Sequence, residues 1–282
     1  MTSFTVLGAS GFVGRHLTAH LQAQGHDVAA PSRDTSTLHG KNLGHVIYCI
    51  GLTGNFRQQP FDTIEAHVGV LSALLQNTVF DSWLYLSSTR VYGGLDVEDT
   101  ASEESMLPAK PSADALYDYS KLLGESLCLT IDHPAMRVAR LSNVYGIGQS
   151  PHTFLGSLTT DLKETGTATI LDNPASSKDY VSIDDVVPLL EKIALSGKQK
   201  IYNVASGTQT RCDMLADAIH ALGYDIGFAE TAPPPRAFPK IDIARIANEF
   251  DFSPRLIQDD LPFLLTKEEN DDTGCKQSDR GV

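Results

Sequence analysis

The sequence predicts an α/β fold, a doubly wound parallel sheet with a smaller lobe toward the carboxyl end. Three observations predict it. Apolar runs of strand length alternate with longer helical patterns. A glycine-rich turn joins the first run to the first helix, and a later run ends in hydroxyl side chains. Parallel strands need crossover connections, so this alternation places helices on both faces of one sheet.

The first unit is the strand Phe4-Thr5-Val6-Leu7, a glycine turn, and a helix over 12–24. Further strands are expected at 26–30, 45–50, 83–87 and 136–141, with helices over 64–77 and 117–131. Only twelve residues separate Arg33 from Val46. A crossover with its helix takes at least about 10–12 residues before any further strand, so one unit is cut short here. After Gly146 a helix is expected near 154–164, a strand at 168–171, a helix over 183–195 and a strand at 201–205. Residues 1–146, completed by about 179–206, form the sheet domain in this reading. Residues 147–265 form the interleaved lobe that binds substrate, and 266–282, polar and aperiodic, a mobile tail.

The 282 residues, 41% hydrophobic and 20% charged, can bury a large core without staples. The formal charge of −13 repels phosphate backbones and anionic membranes, which argues against a nucleic-acid or membrane partner. No apolar stretch approaches the ~20 residues that span a bilayer, and no basic region precedes the first apolar run, so the expected location is the cytoplasm. Cys49, Cys128, Cys212 and Cys275 lie far apart without a C-x-x-C pair, signalling neither a metal site nor a disulfide framework.

Gly8-Ala9-Ser10-Gly11-Phe12-Val13-Gly14 follows the first strand directly and opens the first helix. Glycines at these positions allow a tight turn, close approach of backbone to a pyrophosphate and tight helix-on-strand packing, and the helix start supplies free N–H donors. The loop is therefore a candidate dinucleotide cradle in a Rossmann-like sheet, although its G-x-x-G-x-x-G spacing differs from the general fingerprint. The second strand ends in Ala30-Pro31-Ser32-Arg33-Asp34. Ser32 and Arg33 suit the 2′-phosphate of NADP, with Arg15 as a second charge. NAD stays open, through an inward-turned Asp34 with Arg33 as a solvated charge.

Among nine tyrosines, Tyr117 alone has a lysine four residues later, Lys121, on the same helical face. A nearby ammonium favours a phenolate, so the pair can exchange a proton with a substrate hydroxyl beside a nicotinamide. By itself the spacing more often marks a surface pair. The run Trp83-Leu84-Tyr85-Leu86-Ser87-Ser88-Thr89 adds hydroxyls at a strand's carboxyl end, where open α/β sheets bind ligands, and Ser88 can hold the reacting oxygen.

Together these motifs resemble the extended short-chain dehydrogenase/reductase superfamily, specifically the NAD-dependent epimerase/dehydratase family acting on nucleotide sugars. The likeness covers about residues 4–260. It extends to Leu86-Ser87-Ser88-Thr89-Arg90-Val91-Tyr92-Gly93, Arg140-Leu141-Ser142-Asn143-Val144-Tyr145-Gly146, Lys178-Asp179-Tyr180-Val181-Ser182-Ile183-Asp184-Asp185-Val186 and Tyr202-Asn203-Val204-Ala205-Ser206-Gly207. The resemblance implies an NAD(P)-dependent epimerase or ketoreductase with Ser88, Tyr117 and Lys121 as its catalytic set. It places Gly8, Ser10, Gly11, Phe12, Val13, Gly14, Ser32, Arg33, Ile50, Gly51, Tyr117 and Lys121 on the cofactor, and Ser88, Thr89, Asn143, Lys178 and Arg236 on the substrate. Lys178 and Arg236 are equally readable as solvated charges. Thr89 and Arg90 stand where family dehydratases carry an acidic pair, which disfavours dehydration, and the short region after Arg33 leaves little chain to cover an adenine. The resemblance also implies a homodimer through the helices over 64–77 and 117–131, whose outer apolar positions fit monomeric core packing equally. The competing reading is a non-catalytic NADP-binding sensor or scaffold.

Overall fold

The computed structural model describes residues 1–52, 54 and 56–266. The expected tail, apart from residue 266, and Cys275 lie outside the described residues. The central sheet has six parallel strands in the order β10-β6-β4-β3-β1-β2. These are β1 (Ser3–Leu7), β2 (Asp27–Ala29), β3 (His45–Tyr48), β4 (Ser82–Ser88), β6 (Met136–Leu141) and β10 (Ile201–Val204). Pairings Leu7↔Tyr48, Ser88↔Leu141 and Val204↔Leu141 put the carboxyl ends on one edge.

Side-chain alternation along each strand builds two cores. Phe4, Val6, Ile47, Leu84, Leu86 and Ala139 face one side, with Leu17 and Leu21 of α1 (Phe12–Ala23) and Leu190 and Ile193 of α6 (Ile183–Ser196) packed over them. Val46, Tyr48, Trp83, Tyr85 and Val138 face the other. They are covered by Leu71 and Leu74 of α3 (Val70–Asn77) and Cys128 of α4 (Leu116–Thr130).

Several bounds differ from expectation. The strand expected at 26–30 is three residues, mostly exposed, as suits a sheet edge. The third ends at Tyr48, freeing Cys49 and Ile50 to line a cavity. Between β2 and β3 a 3-10 turn, Thr35–Leu38, capped by Asp34, stands where a crossover helix would be. The helix expected over 64–77 starts earlier, as α2 (Pro60–Ile64) with proline in its first turn. It continues through a π turn, Glu65–Gly69, into α3.

A separate core gathers Leu155, Leu158 and Leu162 of α5 (Phe154–Thr165), Leu215 and Ile219 of α7 (Cys212–Ala221) and Leu261 and Leu264 of α9 (Ile257–Leu265). Its strands include β7 (Asn143–Tyr145), β8 (Thr167–Ile170), β9 (Ser177–Ser182), β11 (Gln209–Arg211) and β12 (Asp225–Phe228), in sheets ordered β11-β9-β7 and β12-β8. Short strands β5 (Thr100–Ala101) and β13 (Lys240–Ile241) pair beside α8 (Ala244–Phe250). No helix among the described residues is long and apolar enough to cross a membrane.

Candidate active site

At the carboxyl edge of the sheet lies a cavity of about 340 Å³. Gly8 leaves β1 at φ +83°, and a Cβ there would stand 2.9 Å from the Cys49 carbonyl carbon. Gly11 N–H donates to Gly8 O at 3.0 Å, closing the turn. A Cβ on Gly14 would meet Gly8 O at 2.2 Å, so α1 approaches the loop as only glycine permits. The start of α1 has no side-chain cap and no acidic residue in its first turn, and Gly11, Phe12, Val13 and Gly14 line the cavity. Uncapped donors at a glycine turn fit a dinucleotide's pyrophosphate. Gly8 shapes this turn from outside the lining, and Ser10 is exposed.

Ser88, Tyr117 and Lys121 come together in the same cavity with Ile50, Gly51 and Thr89. Tyr117 is 3% exposed. Burial pushes its phenol up to about 12, against the opposing pull of the Ser88 hydroxyl and the Arg90 guanidinium. Lys121 Nζ donates to Leu86 O at 2.9 Å. Burial brings its ammonium down to about 7, against Glu125 and Cys49. The cation over the Tyr117 ring is Arg90, with its guanidinium carbon 5.0 Å from the centroid, whereas Lys121 Nζ faces Gly51, 3.3 Å from where a Cβ would stand.

Behind this set, His67 of the π turn is fully buried, and burial drives its imidazole down to about 2, so it is neutral. Ser120 Oγ donates to Tyr117 O at 2.8 Å and therefore accepts from His67 Nδ1 at 2.7 Å. On the opposite side, Glu125 accepts Ser87 Oγ and pairs with Arg140 at 2.7 Å, and Arg140 Nη1 donates to the Tyr92 hydroxyl. This buried network ties α4 to β4 and β6, which fixes Tyr117 against Ser88.

Farther out, Asn143 donates its amide to Asp179 O at 2.8 Å, and Lys178 Nζ lies 3.9 Å from the Phe154 ring centroid and 3.8 Å from Asp172. Both side chains line the cavity. Arg236, Ser32 and Arg33 are exposed and outside its lining. Arg236 is tied by its backbone to β9, Ser177 N donating to its carbonyl at 2.9 Å. Asp34 Oδ1 accepts from Ser36 N and Oγ, so this carboxylate is engaged in its own turn. Arg15 donates to Gly148 O rather than joining Arg33. Sequence reasoning gave no site role to Arg90, Phe56, His67 or Phe154; of these only Arg90, adjoining the serine cluster, carried a signal.

A model of the NAD dependent epimerase/dehydratase family matches residues 4–59 and 41–205. GDP-6-deoxy-D-mannose reductase of Pseudomonas aeruginosa is 29% identical over 243 residues, covering 75% of this chain and 78% of that protein. dTDP-4-dehydro-6-deoxy-D-allose reductase of a Streptomyces species is 23% identical over 297 residues, covering 89% and 91%. The structure of RMD from Pseudomonas aeruginosa complexed with NADPH superposes with a TM-score of 0.75 at 25% identity, covering 94% of this chain and 98% of that one.

Proposed function

Because the chain belongs to the NAD dependent epimerase/dehydratase family, we propose that it is an NADPH-dependent reductase of a nucleotide-linked keto-sugar. The observation that carries this reading is the Ser88–Tyr117 pair, its phenol protonated at neutral pH, in the cavity that begins at the uncapped helix. The names of both relatives, each a reductase of a nucleotide-linked 6-deoxyhexose, support it. Ser32 and Arg33, with Asp34 occupied by Ser36, favour NADP over NAD, as does the NADPH in the related structure. A proton-transfer set has no use in a pure sensor, so the binding-only reading is the weaker one.

When bound, the nicotinamide supplies the hydride that adds to the sugar carbonyl carbon. The chain supplies the rest. Backbone donors at Phe12, Val13 and Gly14 hold the pyrophosphate, and Ser88 hydrogen-bonds the carbonyl oxygen. Tyr117 delivers its proton to that oxygen as negative charge develops there. Lys121, fixed on Leu86 O, holds the floor at Gly51. Asn143 and Lys178 face the outer part of the sugar nucleotide, with exposed Arg236 a candidate for the diphosphate at the rim. Thr89 lines the wall beside Ser88. Ile64, Leu123 and Leu129, all exposed, are apolar positions of the helices through which a homodimer would form.

The test mixes the protein with NADPH and dTDP- or GDP-linked 4-dehydro-6-deoxyhexoses and follows the near-ultraviolet absorbance of the reduced cofactor. Stoichiometric NADPH consumption, lowered about 10²-fold or more in Tyr117→Phe, is expected. Turnover of a nucleotide sugar without net cofactor change would instead identify an epimerase.

A further inference from the structure

Arg90 touches both members of the catalytic pair. Its backbone N–H donates to Ser88 Oγ at 3.2 Å. Its guanidinium carbon lies 5.0 Å from the Tyr117 ring centroid and 5.3 Å from that of Phe56, and these rings are themselves 5.5 Å apart. Nε donates to Asp118 Oδ1 at 3.0 Å, which anchors the side chain from the same helix that carries Tyr117. The side chain is 41% exposed and lines the cavity.

The proposed reduction leaves a charge to be accounted for. As hydride adds to the carbonyl carbon, the phenolic O–H bond breaks and the carbinol O–H bond forms. A phenolate remains until solvent reprotonates it. Lys121 is held on a backbone carbonyl and faces Gly51. The guanidinium, unlike an ammonium, keeps its charge at every working pH.

We propose that Arg90 is a positioning residue of this reaction, which seats the Tyr117 ring against Ser88 and stabilises the negative charge left on the phenol after proton donation. The inference rests on the reductase reading. The groups that face the phenol are Ser88 from β4, Arg90 from the turn after it, Asp118 from α4 and neutral His67 from the π turn. Of these, Arg90 is the permanent cation beside the ring. Its charge pulls the phenol down, and Asp118 opposes it.

The test compares wild type with Arg90→Gln and Arg90→Lys in the NADPH-loaded enzyme over a range of pH. Arg90→Gln is expected to lower kcat about tenfold and to move the alkaline limb of kcat upward by on the order of one pH unit, with Arg90→Lys recovering most of both. A fall in kcat with an unmoved limb, or an effect on KM alone, would overturn the proposal.

A cofactor-free measurement separates this from the reductase reading. With ¹³C-labelled tyrosine, the Tyr117 signal, assigned by its loss in Tyr117→Phe, should begin to titrate at higher pH in Arg90→Gln than in wild type. Identical titration overturns the role of Arg90 even if the enzyme reduces keto-sugars. If no keto-sugar is reduced but the titration moves, the substrate reading fails and the coupling of Arg90 to the phenol stands. Should Arg90→Gln fail to fold, Arg90→Met, which keeps an unbranched side chain beside the rings and removes the charge, carries the same comparison.

Discussion

Replacing Gly14 with alanine tests the cofactor cradle at the tightest of its three glycines. The added Cβ would stand 2.2 Å from Gly8 O and 2.9 Å from Ala9 Cα, all backbone. Non-bonded heavy atoms reach their optimum near about 3.5 Å, so α1 must retreat from the loop by roughly 1 Å. Leu17 and Leu21 on that helix are fully buried against the sheet. Interiors this dense do not absorb such a shift, and overpacking costs about 1–3 kcal/mol. The same displacement moves the helix donors off the pyrophosphate. A loss of about 1.4 kcal/mol there is tenfold in affinity. Gly11→Ala is the control: its Cβ would meet only Gly8 O, at 3.3 Å, and its φ of −74° is open to alanine. Urea denaturation and NADPH fluorescence titration should show Gly14→Ala less stable and binding at least tenfold more weakly, with Gly11→Ala within about 1 kcal/mol of wild type in stability. Wild-type stability and affinity in Gly14→Ala would refute the close-approach argument.

Three further outcomes follow from named contacts. Arg33→Ala should weaken NADPH binding about tenfold in calorimetry while leaving NADH unchanged, as loss of one charge-assisted hydrogen bond requires; equal weakening of both would return Arg33 to a solvated charge. Glu125→Ala leaves Arg140, 4% exposed, paired only through Tyr92, and should cost about 3–5 kcal/mol in urea unfolding. A loss under about 1 kcal/mol would mean that Arg140 finds water. Lys121 has its folded pKa depressed to about 7, below the unfolded value, so between these two values the unfolded chain binds more protons. Stability relative to Lys121→Met should therefore rise as pH climbs from about 7 toward the free-lysine value of about 10.4. A flat difference would show that Lys121 titrates normally.

The glycine loop was legible because three glycines at fixed spacing answer one steric demand, and the β1–α1 contact shows that demand directly. Ser88 and Tyr117 were legible because a strand ending in hydroxyls and a helical i, i+4 pair have definite directions. The cation over the Tyr117 ring was not. Lys121 shares a helical face with Tyr117, yet the carbonyl of Leu86 captures its ammonium, and Arg90 arrives from the turn after β4 instead. His67 gave no signal, since its role comes from a π turn packed against Ser120. In the lobe, β7, β9 and β11 are held by tertiary pairing, and α9 carries Pro262 inside it, so local patterns understate both.

The charge distribution sets a last expectation. The chain carries −13 overall, yet the cavity lining, among the described residues, includes Arg90, Lys121 and Lys178 and no Asp or Glu. An approaching dinucleotide phosphate meets a repulsive net field at long range and cations only at contact. At about 0.01 M salt the Debye length is ~30 Å and the whole charge is felt, whereas at 0.15 M it is ~8 Å and the lining dominates. The stopped-flow association rate of NADPH should therefore rise between these two conditions, opposite to the fall seen where an anionic ligand meets a cationic protein surface. A rate that falls monotonically with added salt would mean that the lining cations already govern the long-range encounter, and that the acidic residues lie too far from the mouth to matter.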